Sequence, residues 1–186
     1  HEIALVVTKE DKPKGRGYGM SFTPVKEEAL ANEIEVFQPT TLNTEEVYEK
    51  LKSIEADLYV VVAYGKILPQ KILALPRLGC INIHASLLPS YRGAAPIQWA
   101  IIDGCKKTGI TTMLMDRGLD TGDILKKYEI NIEDDETGGS LFEKLALLGA
   151  KAIVDTIENL DNIVPVKQND TDTKYASVLQ KSMGNI

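Results

Sequence analysis

Histidine, cysteine and tryptophan are nearly missing from this chain of 186 residues, which has two, two and one of them. Cys80 and Cys105 stand alone, with neither a CxxC spacing nor the dense framework of a disulfide scaffold, so both read as small buried or half-buried thiols. Apolar runs are short. None approaches the roughly 18 residues that a membrane-crossing helix requires, and no stretch reads as a signal peptide. The expectation is a cytoplasmic protein without membrane contact. Positive charge is not in excess either, since a net charge of −6 argues against a general nucleic-acid coat, whose affinity comes from many phosphate-neutralising cations. Internal repeats and low-complexity tracts are also missing. What remains is an ordinary 44% of apolar and 26% of charged residues, in a length that suits one domain with a full core.

The shortage of histidine makes His84 informative, because the other histidine is the first residue. In an extended segment side chains alternate, so Asn82 and His84 share one face while Ile81 and Ile83 point to the opposite layer. The run breaks at Pro89 and continues as Ser90-Tyr91-Arg92-Gly93, which places the polar pair near the carboxyl end of a strand, where open α/β sheets bind ligands. Further along, Met115 to Leu125 packs Asp116, Asp120 and Asp123 together with Gly118 and Gly122. A loop there can bring a carboxylate to the imidazole, favouring its charged form and its orientation. A solvated acidic turn is the simpler reading of the same residues.

Short apolar runs alternate with helical patterns, the signature of βα units. Strands are predicted over 3–8, 35–37, 58–63, 80–84, 109–115 and 124–130. The apolar run 58–63 reads as a central strand covered on both faces. Helices are predicted over 44–54, with Asn43 and Glu46 as its cap, over 94–103, and over 141–160, with Ser140 and Glu143 in capping-box spacing and Leu141, Leu145 and Leu148 as a stripe. Lys9 to Gly17 carries four cations and two anions on a Gly/Pro backbone and reads as an exposed, mobile, basic loop. The glycines at 15, 17 and 19 come too late after the first strand for a dinucleotide fingerprint. Trp99 reads as partly packed, and Arg92 as either an anion contact or a surface ion pair. Beyond residue 168 the chain is polar and has little to bury.

Three segments carry a resemblance: Asn82-Ile83-His84-Ala85-Ser86-Leu87-Leu88-Pro89, Tyr91-Arg92-Gly93-Ala94-Ala95-Pro96-Ile97-Gln98, and Leu119-Asp120-Thr121-Gly122-Asp123-Ile124-Leu125. Together they resemble folate-dependent formyltransferases, over essentially all of residues 1 to about 180. Asp11 to Gly17 with Pro24-Val25-Lys26, and Ala63 to Pro69, resemble the tRNA-formylating branch of that family. The resemblance implies an open, mainly parallel sheet flanked by helices, lacking the family's first strand and its C-terminal β-barrel domain. It implies a formyltransferase catalytic domain over 1–165 and a polar linker over 166–186.

The implied activity is transfer of a formyl group from 10-formyltetrahydrofolate to the α-amino group of methionyl-initiator tRNA, by a monomer without a metal. The family's catalytic trio falls on Asn82, His84 and Asp120, its folate loop on Ser86, Leu87, Leu88 and Pro89, and its tRNA contacts on Lys12, Lys14 and Arg16. Asn82 and His84 would donate hydrogen bonds to the carbonyl oxygen, and Asp120 would hold His84 and accept the amine's proton. A formyltransferase acting on another primary amine, or a noncatalytic tRNA-binding fragment, are the alternatives.

Overall fold

The computed structural model describes residues 1–14 and 19–184, with the backbone alone for residues 12–14 and 19–21. The chain divides into two compact units, the first comprising residues 1–59 and 63–79, the second residues 60–62 and 80–186.

The first unit contains β1 (Val6–Val7), β2 (Lys12–Lys14), β3 (Gly19–Ser21), α1 (Pro24–Ala31), β4 (Val36–Phe37), α2 (Glu45–Ser53), the start of β5 (Tyr59–Val61), and α3 (Gln70–Leu73). Strands β1 and β4 pair in parallel. Leu42, Val47, Leu51 and Ile72 form the core, with Leu5, Val7 and Phe37 against it. The cap of α2 is Thr44, which accepts from the Val47 amide, one residue after the predicted Asn43. Glu45 and Glu46 in its first turn and Lys50 and Lys52 in its last complement the helix dipole. Helix α1 was not predicted. It has no apolar stripe, with Ala29 buried but Val25 and Leu30 exposed, and its signals are the Thr23 cap and the proline at its start.

Part of the basic segment is strand rather than the irregular loop that its composition suggests, and residues 15–17 lie outside the described residues. Lys12–Lys14 and Gly19–Ser21 form an antiparallel ribbon, in register Lys12 to Ser21, Pro13 to Met20 and Lys14 to Gly19. Proline is compatible with this because a two-stranded ribbon leaves one edge of each strand unpaired. The base of the ribbon is braced. Lys26 Nζ lies 2.5 Å from Asp11 Oδ2 and 2.7 Å from Gln38 Oε1, and Gln38 Nε2 donates to the Lys9 carbonyl and to Asp11 Oδ1. The Lys26 and Gln38 bonds hold the Asp11 carboxyl below its usual range.

The second unit contains the rest of β5, then β6 (Cys80–His84), β7 (Ser90–Gly93), α4 (Pro96–Ile102), β8 (Lys107–Leu114), β9 (Ile124–Asn131), α5 (Gly138–Glu158) and β10 (Lys174–Ala176). Its four-stranded sheet runs in the order β5-β6-β8-β9. The α/β architecture flanked by helices is as expected. Parallel pairing joins β1 to β4 and β7 to β10, whereas β6–β8 and β8–β9 are antiparallel. Strand β9 explains the second antiparallel pair, because beyond Lys126 it alternates half-buried and exposed residues, the pattern of a strand with one solvated face. Strand β5 lies at the end of this order, and Val60 is 44% exposed, so it is not the central strand its composition predicts.

Helix α5 covers one face of the sheet. Its buried residues Leu141, Leu145, Gly149, Ala152 and Thr156 recur at helical spacing, and the predicted stripe at Leu141, Leu145 and Leu148 packs inward. A Cβ built on Gly149 would lie 3.3 Å from Ile83 and 3.7 Å from Ile110, so the helix rides close over β6 and β8. The cap begins one turn earlier than predicted, with Thr137 and Ser140 forming the capping box. Because Ile83 faces α5, Asn82 and His84 face away from it.

Residues 168–176, predicted to be linker, are built into this unit. Strand β10 pairs in parallel with β7, Ala176 is buried, and its carbonyl accepts from the amides of Ala94 and Ala95. Trp99 is partly packed, as expected, and donates to the Ser177 carbonyl.

Candidate active site

The site grows from the face of β6 turned away from α5. His84 is paired across the ladder with Thr111, and Asn82 with Met113. Directly opposed residues share a face, so the loop after β6 is fastened beside the imidazole. Thr111 does this with a single hydroxyl, which donates to the Ser86 carbonyl at 2.6 Å and accepts from the Leu88 amide at 3.1 Å.

The same loop spends its own side chains on closure. Ser86 is fully buried and donates to the Ser90 carbonyl at 2.6 Å. Leu88 is fully buried with Met113 and Ile124. Leu87 lies over Gly109, where an added Cβ would meet its Cδ2 at 2.7 Å. The Leu88–Pro89 peptide is cis. Of the predicted folate loop, the Ser86 hydroxyl and the Leu88 side chain therefore serve the interior, and the main chain with half-buried Leu87 and Pro89 is what it presents outward.

The imidazole of His84 is buried, with Nε2 2.8 Å from the Tyr91 carbonyl. A carbonyl can only accept, so Nε2 carries a proton. Nδ1 faces Asp120 Oδ2 at 3.7 Å, close enough for charge interaction and too far for a hydrogen bond. Asp120 Oδ2 accepts from the Gly93 amide at 2.8 Å. Asp120 Oδ1 and the Asn82 amide make no side-chain hydrogen bond among the described residues. Three polar groups thus remain for a ligand: the Asn82 amide, His84 Nδ1 and Asp120 Oδ1.

Two glycines are required here by space. A Cβ on Gly122 would stand 1.6 Å from the Leu114 carbonyl oxygen, and one on Gly93, at φ +115, would stand 2.7 Å from the Ala176 carbonyl oxygen. The other acid of the turn, Asp116, accepts through Oδ1 from the Gly118 amide and the Thr121 hydroxyl, closing the first half of the loop. Tyr91 donates to Asp103 and touches Cys105 Sγ, and burial, then the Cys105 bond, then Asp103 push its hydroxyl above the ordinary range.

A comparison with known families matches residues 1–157 to the one described as formyl transferase. The chain belongs to the formyl transferase family. The chain is 52% identical to the methionyl-tRNA formyltransferase of Lachnospira eligens over 188 aligned residues, covering all of this chain and 60% of the relative. Among solved structures, phosphoribosylglycinamide formyltransferase from Bacillus halodurans is 28% identical with a TM-score of 0.68, covering 86% of this chain and 84% of that one. The formyltransferase PseJ from Anoxybacillus kamchatkensis, solved with tetrahydrofolate, is 22% identical with a TM-score of 0.68, covering 97% and 88%.

His84 and Asp120 come together and Asn82 shares the His84 face. Lys12 and Lys14 fall on β2 of the first unit, and Arg16 lies outside the described residues. Sequence reasoning left Arg92 open and missed Gln168. Arg92 is 2% exposed and bonds Gln168 and Asp170, so the ion pair is present but its arginine is buried rather than on the surface. Only the length of the Arg92 side chain and the turn chemistry beside it could have hinted at this. Among the described residues no helix is long and apolar enough to cross a membrane.

Proposed function

We propose that this chain carries the formyl-transfer site of an enzyme that moves a formyl group from 10-formyltetrahydrofolate to the α-amino group of methionyl-initiator tRNA, in the cytoplasm, at the start of translation. The reading rests on one observation: the polar face of β6 meets an aspartate in a chain 52% identical along its whole length to a methionyl-tRNA formyltransferase. The chain spans 60% of that relative's length, so acceptor and donor are inferred for the protein as a whole.

The unpartnered groups suit an acyl carbonyl, with donors on one side and a proton acceptor on the other. The folate supplies the formyl carbonyl that the amine attacks; the new C–N bond replaces the bond from the formyl carbon to the folate nitrogen, which leaves as a neutral amine after receiving the proton that Asp120 has taken. Asn82 and His84 Nδ1 donate to the carbonyl oxygen as it gains negative charge; Nε2 is committed to the Tyr91 carbonyl, so Nδ1 is the nitrogen that serves. Removing one such donor typically costs about 2.7–4 kcal/mol of barrier. Asp120 stabilises the imidazolium from 3.7 Å and takes the amine's proton on Oδ1, help commonly worth about 10²–10⁴ in rate. The outward main chain of residues 86–90, with Leu87 and Pro89, lines the donor side. Lys12, Lys14 and Arg16 contact tRNA.

The test is formyl transfer by the full-length protein with Asp120→Ala or His84→Ala. A fall of about 10²–10⁴ in kcat is expected, and a rate within a few-fold of the parent sinks the trio. Arg16→Ala should raise KM for the charged tRNA and leave folate binding intact. A small primary amine formylated as fast as charged tRNA would favour the small-acceptor reading instead.

A further inference from the structure

Asp120 has φ +55 and lies outside regular secondary structure, so the loop itself does not determine where its carboxylate points. The Asp116 bonds reach Gly118 and Thr121 but not the main chain of Asp120 or Gly122. That main chain is held from elsewhere. Gln168 Nε2 donates to the Asp120 carbonyl at 2.9 Å and to the Gly122 carbonyl at 2.7 Å. Its Oε1 accepts from Arg92 Nε at 3.0 Å and from the Arg92 Nη2 at 2.9 Å. The amide's orientation is unambiguous, because arginine can only donate and carbonyls can only accept.

Arg92 lies between the two residues that touch the reactive pair. The Tyr91 carbonyl accepts from His84 Nε2, and the Gly93 amide donates to the Asp120 carboxylate. One strand and one amide side chain therefore refer both members of the pair to a single frame. Half-buried networks of this kind hold their shape when donors and acceptors are matched, and here Gln168 is matched at both ends.

We propose that Gln168 and Arg92 are positioning residues that set the separation between the Asp120 carboxylate and the His84 ring. This rests on the proposed function above. Glutamine is the residue type the place requires, since a side chain must accept from a guanidinium and donate to two carbonyls at once. Gln168→Glu separates the two ends: it keeps an acceptor for Arg92 and removes both donors to the loop.

The experiment compares Gln168→Glu, Gln168→Ala and Asp120→Ala in the full-length protein, reading kcat, KM for the folate and thermal melting. Both Gln168 variants should lower kcat by about tenfold to a hundredfold, the cost of a displacement of roughly 1 Å, with KM within about twofold and the Gln168→Glu melt near the parent's. Parental kcat in Gln168→Glu overturns the proposal, as does a loss of activity that only tracks a collapsed melt. Parental kcat in Asp120→Ala is a different result, and it removes the proposed function itself. A measurement on the parent needs no variant: the Gln168 side-chain amide protons should exchange at least about tenfold slower than those of exposed Gln98. Equal exchange overturns the anchor even if every Gln168 variant fails to fold.

Discussion

His84 stands on a five-residue strand whose alternation alone sets its direction, whereas Asp120 stands on a loop in left-handed conformation and is aimed by residues 27 and 48 positions away. The strand side of the site comes from local geometry with α5 as its backing. The loop side comes from tertiary hydrogen bonds and close backbone approaches. A site built this way has a rigid half and a half that depends on distant supports, and the two should fail differently under substitution.

Gly122→Ala strikes the dependent half, and among substitutions that leave Asn82, His84 and Asp120 in place the largest effect is expected from it. The new methyl would stand 1.6 Å from the Leu114 carbonyl oxygen, so the loop must move. Overpacking of this sort costs about 1–3 kcal/mol of stability, and kcat should fall about a hundredfold as Asp120 shifts. Kinetics alongside chemical denaturation would measure both; an unchanged kcat would mean that the loop tolerates displacement and that the contrast between the halves is wrong.

Thr111→Val strikes the strand half. It leaves the buried Leu88 amide without its acceptor and removes the bond to the Ser86 carbonyl, which should lower stability by about 1–3 kcal/mol. The expected kinetic signature is a higher KM for the folate with kcat nearly held, because the 86–90 loop rather than Asp120 is loosened. A kcat loss as large as that of Gly122→Ala would erase the distinction.

Smaller effects sharpen the picture of the frame. Cys80 opens β6, and burial pushes its thiol up to about 12, so native-state alkylation should reach half-buried Cys105 first; equal labelling would show that β6 opens readily. Far from the reactive pair, Lys126 and then Tyr128 hold the Asp155 carboxyl of α5 below its usual 3.8. A depressed carboxylate contributes stability above its unfolded value and loses it as pH falls through the folded one. Asp155→Asn should therefore lessen the loss of melting temperature below about pH 3.8, the range in which this carboxylate's contribution goes.

What was legible in the sequence follows the same division. The boundaries of β6, the face shared by Asn82 and His84, and the α5 stripe were legible because period two and period 3.6 are written in adjacent residues. Asp120 was legible only as one acid among three in a turn. Gln168 was not, since a lone glutamine in a polar stretch carries no pattern, and its meaning lies in Arg92, 76 positions away. Pro13 hid the β2–β3 ribbon because proline argues against strands in general but not on an unpaired edge. Ser86 and Leu88 entered the folate loop through the family resemblance, and only the fold shows that the Ser86 hydroxyl and the Leu88 side chain close the loop on itself.

The parallel pairing of β10 with β7 carries a temporal consequence. During synthesis, the imidazole's strand and its α5 backing are complete before the residues that steady the carboxylate have been polymerised, and domains gain structure from the N-terminus as they emerge. Until Gln168 has left the ribosomal tunnel, a nascent chain has no donor for the Asp120 and Gly122 carbonyls, so the carboxylate gains its orientation only when that stretch joins the rest of its unit.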